Sequence, residues 1–146
     1  MERLLISTCL LGLATRYDGR SKTVLSEADI SKLSERYELV PVCPEIYGGL
    51  PTPRTPSERV GDKVLTKDGK DVTENYRKGA LDALTLCRLF DIKKALLKAC
   101  SPSCGKGKVY DGSFSGTLTP GHGVAAEMLL ANGIEVYTEN EIDKLI

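Results

Sequence analysis

Three of the five cysteines stand where an apolar run gives way to a turn rich in glycine or proline. Cys9 follows Leu4-Leu5-Ile6, Cys43 follows Leu39-Val40-Pro41-Val42, and Cys104 follows Ala95-Leu96-Leu97. If those runs are neighbouring parallel strands, the three thiols gather at one edge of one sheet. Soft thiolates select zinc, copper(I) or iron–sulfur clusters. A structural zinc site normally takes two ligands from one tight knuckle such as Cys-x-x-Cys. Here the spacings are 34 and 61 residues, so each ligand comes from a different strand end. Three thiolates without a fourth residue in the same placement suit a metal centre with an open coordination position. The competing reading is three ordinary buried cysteines, because Cys is among the most buried residue types. Cys87, on the apolar face of a helix, and Cys100, at the end of a strand, read as packing. Cys100-x-x-x-Cys104 nevertheless keeps a thiol redox pair as a rival.

Other groups fall beside these thiols. From Cys43 to Arg54 the chain reads Cys-Pro-Glu-Ile-Tyr-Gly-Gly-Leu-Pro-Thr-Pro-Arg, a stiff, sharply turned loop. Such a loop holds Glu45 near Cys43 and brings Arg54 back over the site, and a carboxylate beside a metal is a natural general acid or base. In Ser101-Pro102-Ser103-Cys104-Gly105 the hydroxyls of Ser101 and Ser103 can bind a ligand, a cluster sulfur or the local backbone. Pro120-Gly121-His122-Gly123 opens a helix, whose free amides at Gly121 and Gly123 can face an anion or a sulfide. His122, the only histidine, is a weaker candidate for direct chemistry.

The elements that must position these groups follow from periodicity. Arg3–Thr8, Tyr37–Val42, Ile92–Ala99 and Ile134–Tyr137 are short apolar runs bounded by turn residues, as buried parallel strands are. Helical patterns lie between them: one from Ser26 to Arg36 with a capping start, one from Glu74 to Phe90, one around Val124–Leu129 closed by Asn132-Gly133, and a short last one over Glu139–Ile146. This alternation predicts a doubly wound, flavodoxin- or Rossmann-like α/β fold, with a mostly parallel four-stranded sheet in three layers. Ligands in such sheets bind beyond the carboxyl ends of the strands, where all three cysteines fall. A small hairpin is expected from Val64-Leu65-Thr66 and the turn Lys67-Asp68-Gly69-Lys70. A faint echo links Arg16-Tyr17-Asp18-Gly19 after Cys9 with Tyr110-Asp111-Gly112 after Cys104.

Composition narrows the classes. The 146 residues fit a single domain over 1–146, with no visible boundary or low-complexity tract. Lys plus Arg equals Asp plus Glu at 20 each, so neither nucleic acid nor an anionic membrane is an expected partner. No apolar run is long enough for a span, and the odd cysteine count argues against a secreted disulfide scaffold, so a cytoplasmic protein is expected. With no Trp and two Phe, the core must be aliphatic.

Taken together, Cys9-Leu-Leu-Gly with Arg16-Tyr-Asp-Gly, Cys43-Pro-Glu with Gly-Gly-Leu-Pro-Thr-Pro-Arg54, and Ser101-Pro-Ser-Cys-Gly with Tyr110-Asp-Gly and Gly121-x-Gly-Val resemble the 2-thiouracil desulfidase family, in order and over essentially the whole chain. The resemblance implies a 4Fe–4S cluster on three cysteines matching Cys9, Cys43 and Cys104, with a fourth iron free to take the sulfur of a thiolated nucleobase. It also implies that Glu45 and Ser101 are catalytic, and that 2-thiouracil becomes uracil and hydrogen sulfide without net electron transfer. The implied partner is a small thiolated base or nucleoside, with Arg54, Ser103, Gly121 and Gly123 as candidate contacts. Three other readings remain: the same cluster scaffold performing another sulfur-transfer or dehydration reaction, a non-enzymatic metal or iron–sulfur module, and a redox protein using Cys100 and Cys104.

Overall fold

The computed structural model describes residues 1–20 and 24–146. Four strands, β1 (Glu2–Ser7), β2 (Tyr37–Val42), β5 (Lys94–Leu97) and β8 (Glu135–Thr138), form one all-parallel sheet in the order β2-β1-β5-β8. All four expected strands are present, each within a few residues of its expected ends. Alternation along them explains the layers. Leu5, Val42, Ala95, Leu97 and Val136 face helices α3 (Thr73–Leu89) and α4 (Val124–Ala131). Leu4, Ile6, Tyr37 and Leu96 face the other way, onto Leu33 of α1 (Glu27–Arg36) and Leu145 near the C-terminus. The core is mostly aliphatic, as the composition leads one to expect, with Tyr37 and Tyr76 as its buried aromatics.

Local signals set the helix ends. The Ser26 hydroxyl accepts the Asp29 amide at the start of α1, which is the expected N-cap. Cys87 is buried in the core under α3, in the packing role its face suggests. The last element is a 3-10 helix over Glu139–Lys144, shorter and tighter than the expected one.

Two small antiparallel pairs sit outside the sheet. In the first, β3 (Ser57–Val60) pairs with β4 (Lys63–Thr66), and the Lys67–Lys70 turn adds only a single bridge from Asp71 back to Leu65. The expected hairpin thus exists in small part, but the main partner of Val64-Leu65-Thr66 lies upstream. The second pair, β6 (Lys108–Tyr110) with β7 (Leu118–Pro120), was not expected. The Cys43–Arg54 segment is also more ordered than a loop: Pro44–Tyr47 forms the short helix α2, with Pro44 at its first turn.

Register fixes the position of the site. Ser7 is level with Val42 across β1–β2, and Ile6 is level with Leu96 across β1–β5. The three carboxyl ends therefore stop at one edge. β1 lies between its sequence successor β2 and the later β5, so the strand order reverses at β1. That reversal opens a crevice at the edge of the sheet.

Candidate active site

A cavity of about 560 Å³ fills this crevice, within the usual range for small-molecule and cofactor sites. It is lined by all three predicted cysteines together with Glu45, Arg54, Ser101 and Ser103. Cys9 reaches it from a 3-10 turn over Thr8–Leu11, closed by Gly12 in the left-handed region (φ 86°) while Leu10 is buried in the core. Cys43 is the residue preceding α2, and its carbonyl accepts the Tyr47 amide. Cys104 arrives on the loop after β5, where the Ser101 hydroxyl oxygen accepts the amides of Ser103 and Cys104 at 3.1 and 3.0 Å.

That loop is held by the N-terminus of α4. The amides of Val124 and Ala125 donate to the carbonyls of Pro102 and Ser103, and those of Gly121 and Gly123 to Gly107 and Gly105. The amides expected to face an anion are therefore spent on the Cys104 loop, and neither Gly121 nor Gly123 lines the cavity. Gly123 is required for closeness: a Cβ there would lie 2.5 Å from the Ser103 carbonyl carbon. His122 is also occupied, its Nδ1 accepting the Gly107 amide and its carbonyl accepting Arg59. It stands outside the cavity lining.

Glu45 is the centre of the polar network. Its Oε1 accepts the Tyr76 hydroxyl at 2.9 Å and Arg54 Nε at 3.1 Å, and its Oε2 accepts the Ser103 hydroxyl at 2.8 Å. The ion pair is largely buried, with side chains 14% (Glu45) and 7% (Arg54) exposed. Arg54 further donates to the carbonyls of Pro51 and Thr15 and to the Thr52 hydroxyl, so most of its donors serve protein atoms. Ser103 is 1% exposed, with its hydroxyl on Glu45. Tyr76 was legible only as part of the apolar face of α3. Burial first, and then the Glu45 charge, push its phenol far above the ordinary range, so at neutral pH it remains a donor.

The thiols sit in a second, softer network. Cys104 Sγ accepts the Ser7 hydroxyl at 3.4 Å, and Ser103 Oγ lies 3.5 Å away. Burial pushes the Cys104 thiol up to about 12. Burial, with the nearby Cys43 thiol, pushes Cys9 up to about 11. Both folded-state values exceed the ordinary 9.0, so the neutral thiols stabilise the cluster-free fold fully below about pH 9, and that contribution is lost as pH rises toward 11–12. Thermal melts of cluster-free protein are expected to fall across this window; a flat profile would show that the thiols are not buried as described. Metal uptake must also release thiol protons.

Cys100 departs from its expected packing role. β5 ends at Leu97, and Cys100 takes a left-handed backbone (φ 66°) and lines the cavity. All five cysteines are free thiols. Among the described residues no three Cys, His, Asp or Glu side chains lie close enough to hold one metal ion. Three thiols lining one cavity are a donor set of the soft kind that zinc, copper(I) and iron–sulfur centres take.

Comparison with known proteins agrees with this donor set. A solved structure described as a [4Fe-4S]-dependent thiouracil desulfidase, TudS, superposes with a TM-score of 0.94 at 43% identity, covering 99% of this chain and 95% of that one. An uncharacterised Bacillus subtilis (strain 168) protein, YbbK, is 37% identical over 98% of this chain and 99% of its own length. The pattern of the 2-thiouracil desulfurase family matches residues 4–141. With its fold, its three-thiol cavity and nearly its full length in register, the chain belongs to the 2-thiouracil desulfurase family.

Proposed function

We propose that this enzyme removes sulfur from a thiolated nucleobase such as 2-thiouracil by hydrolytic, non-redox chemistry, with a 4Fe–4S cluster held by Cys9, Cys43 and Cys104. The observation that carries the reading is the convergence of these three thiols with a buried, three-donor carboxylate in one cavity. When bound, a cluster with one iron free of protein ligands supplies a Lewis acid that polarises the carbon–sulfur bond.

The side chains supply the rest. Glu45 accepts the proton of the water that attacks the thiocarbonyl carbon. Arg54 and Tyr76 fix its Oε1, so proton traffic falls to Oε2. The Ser103 hydroxyl carries one proton and gives it to Oε2, so the Ser101 hydroxyl, 3.0 Å away, donates to Ser103. Ser101 to Ser103 to Glu45 is thus a chain directed toward the carboxylate: it passes a proton to Oε2, and once Glu45 is protonated the two hydroxyls reverse and return it to the departing sulfur. Carbon–sulfur is exchanged for carbon–oxygen, water is consumed, hydrogen sulfide leaves, and no electrons are transferred.

The ligand set is tested by substitution. Anaerobically loaded Cys43→Ala is expected to hold no cluster and to release no sulfide from 2-thiouracil, whereas Cys100→Ala retains both. Iron and acid-labile sulfide analysis reads the result. Full iron content in Cys43→Ala, or cluster loss in Cys100→Ala, would overturn the assignment.

A further inference from the structure

The repeated Tyr-Asp-Gly segments are one structural device used twice. In each, the aspartate carboxylate accepts the amide two residues on: Asp18 takes Arg20 at 3.0 Å and Asp111 takes Ser113 at 2.9 Å. In each, the glycine is left-handed, with φ 71° at Gly19 and 94° at Gly112. The outcome is also the same, because Tyr17 and Tyr110 both line the cavity while remaining 43% and 38% exposed. Both rings therefore stand where the cavity meets solvent.

A third aromatic joins them. Phe114, in the loop between β6 and β7, is half-buried against the same cavity and has a left-handed backbone (φ 54°), unusual for a bulky residue. The conformation is imposed by Glu58 of β3, a buried carboxylate whose Oε1 accepts the amides of Gly112 and Phe114 at 2.9 and 3.1 Å. Strained residues held by their surroundings cluster at ligand clamps. The chain has only eight aromatics, two Phe and six Tyr, and three of them line this one cavity. Flat π-faces beside a polar reaction centre favour a planar heterocycle, since every base offers a face to stack.

We propose that Tyr17, Tyr110 and Phe114 form an aromatic rim that grips the flat face of a heteroaromatic ring, so that the site selects thiolated planar heterocycles over saturated or acyclic thiocarbonyl compounds. This rests on the desulfurase reading, but is tested independently of turnover. Uracil and dihydrouracil carry the same carbonyl and amide groups, but only uracil is fully flat. Calorimetric titration of cluster-loaded protein is expected to show tighter binding of uracil than of dihydrouracil. Phe114→Ala, which keeps the Cβ and hence the same backbone demand, is expected to weaken uracil binding roughly tenfold and narrow the preference; Phe114→Tyr restores both. In turnover the Phe114→Ala defect appears in KM for 2-thiouracil, with kcat and iron content unchanged. Equal binding of the two rings by the wild-type protein, or equal losses for both in Phe114→Ala, would overturn the rim. Absence of sulfide release by the loaded wild-type protein would instead overturn the desulfurase reading, while the binding comparison would still decide the rim.

Discussion

Glu45→Gln is expected to leave iron content unchanged and to lower sulfide release by about 10²–10⁴-fold, the range carried by a positioned acid–base group. The substitution keeps the shape of the side chain and removes its charge; the amide oxygen still accepts one of the Tyr76 and Ser103 hydroxyls, and the other hydroxyl must turn to accept from the amide nitrogen. Arg54 does not fare as well: it is 7% exposed and loses its only carboxylate partner. Breaking a largely buried pair by removing one member costs about 3–5 kcal/mol, so the variant should also unfold at lower denaturant concentration. Neither effect involves the three thiols, which is why cluster content is the control. Unchanged turnover at full iron content would remove Glu45 from the mechanism and leave the Ser101–Ser103 chain without its terminal proton acceptor.

Gly79→Ala is expected to have the largest structural effect of any single methyl added to this chain. Within a helix, alanine normally stabilises relative to glycine by about 1 kcal/mol. At this position in α3 the new Cβ would lie 1.7 Å from the Pro44 carbonyl oxygen and 2.6 Å from its carbon. Both are backbone atoms, so no side chain can swing away. The short helix α2 must move off α3, and it carries Glu45 and follows directly on Cys43. Gly48 at the end of α2 is equally tight, 2.0 Å from the Asn75 carbonyl oxygen, so the crossing cannot relax by pivoting there. Destabilisation of at least about 3 kcal/mol is expected, at the upper end of overpacking costs, together with loss of cluster loading. Denaturant midpoints and iron content check this. A variant as stable and as iron-rich as the wild type would show that α2 is not seated on Gly79.

The same residues explain what the sequence made legible and what it hid. Buried parallel strands announce themselves because both faces are apolar, and Leu4-Leu5-Ile6 or Ala95-Leu96-Leu97 admit little else. The strand-end placement of Cys9 and Cys43 followed directly from that. Strand β3 was hidden because it reads Ser-Glu-Arg-Val, and its inward position is filled by Glu58, a carboxylate that binds loop amides instead of packing. Strands β6 and β7 are three residues each, too short for a period to show. Helix α2 was masked by its own proline and the glycines after it, which read as loop when taken singly. Tyr76 belonged to the apolar face by spacing, and its hydroxyl was the one polar atom there. What it contacts depends on α2, 31 residues earlier in the chain. The helix-opening glycines misled in the opposite direction: free amides at a helix N-terminus attract any acceptor, and here the Cys104 loop supplies the carbonyls.

The proposed function rests on one claim, that this site hydrolyses a thiocarbonyl without redox chemistry. Its most direct test is anaerobic incubation of cluster-loaded protein with 2-thiouracil and no added reductant, beside cluster-free protein, with uracil and sulfide both quantified. Uracil and sulfide in equal amounts over many turnovers, from the loaded protein alone, is the expected result. Release that requires a reductant, release by the cluster-free protein, or none from fully loaded protein would contradict it.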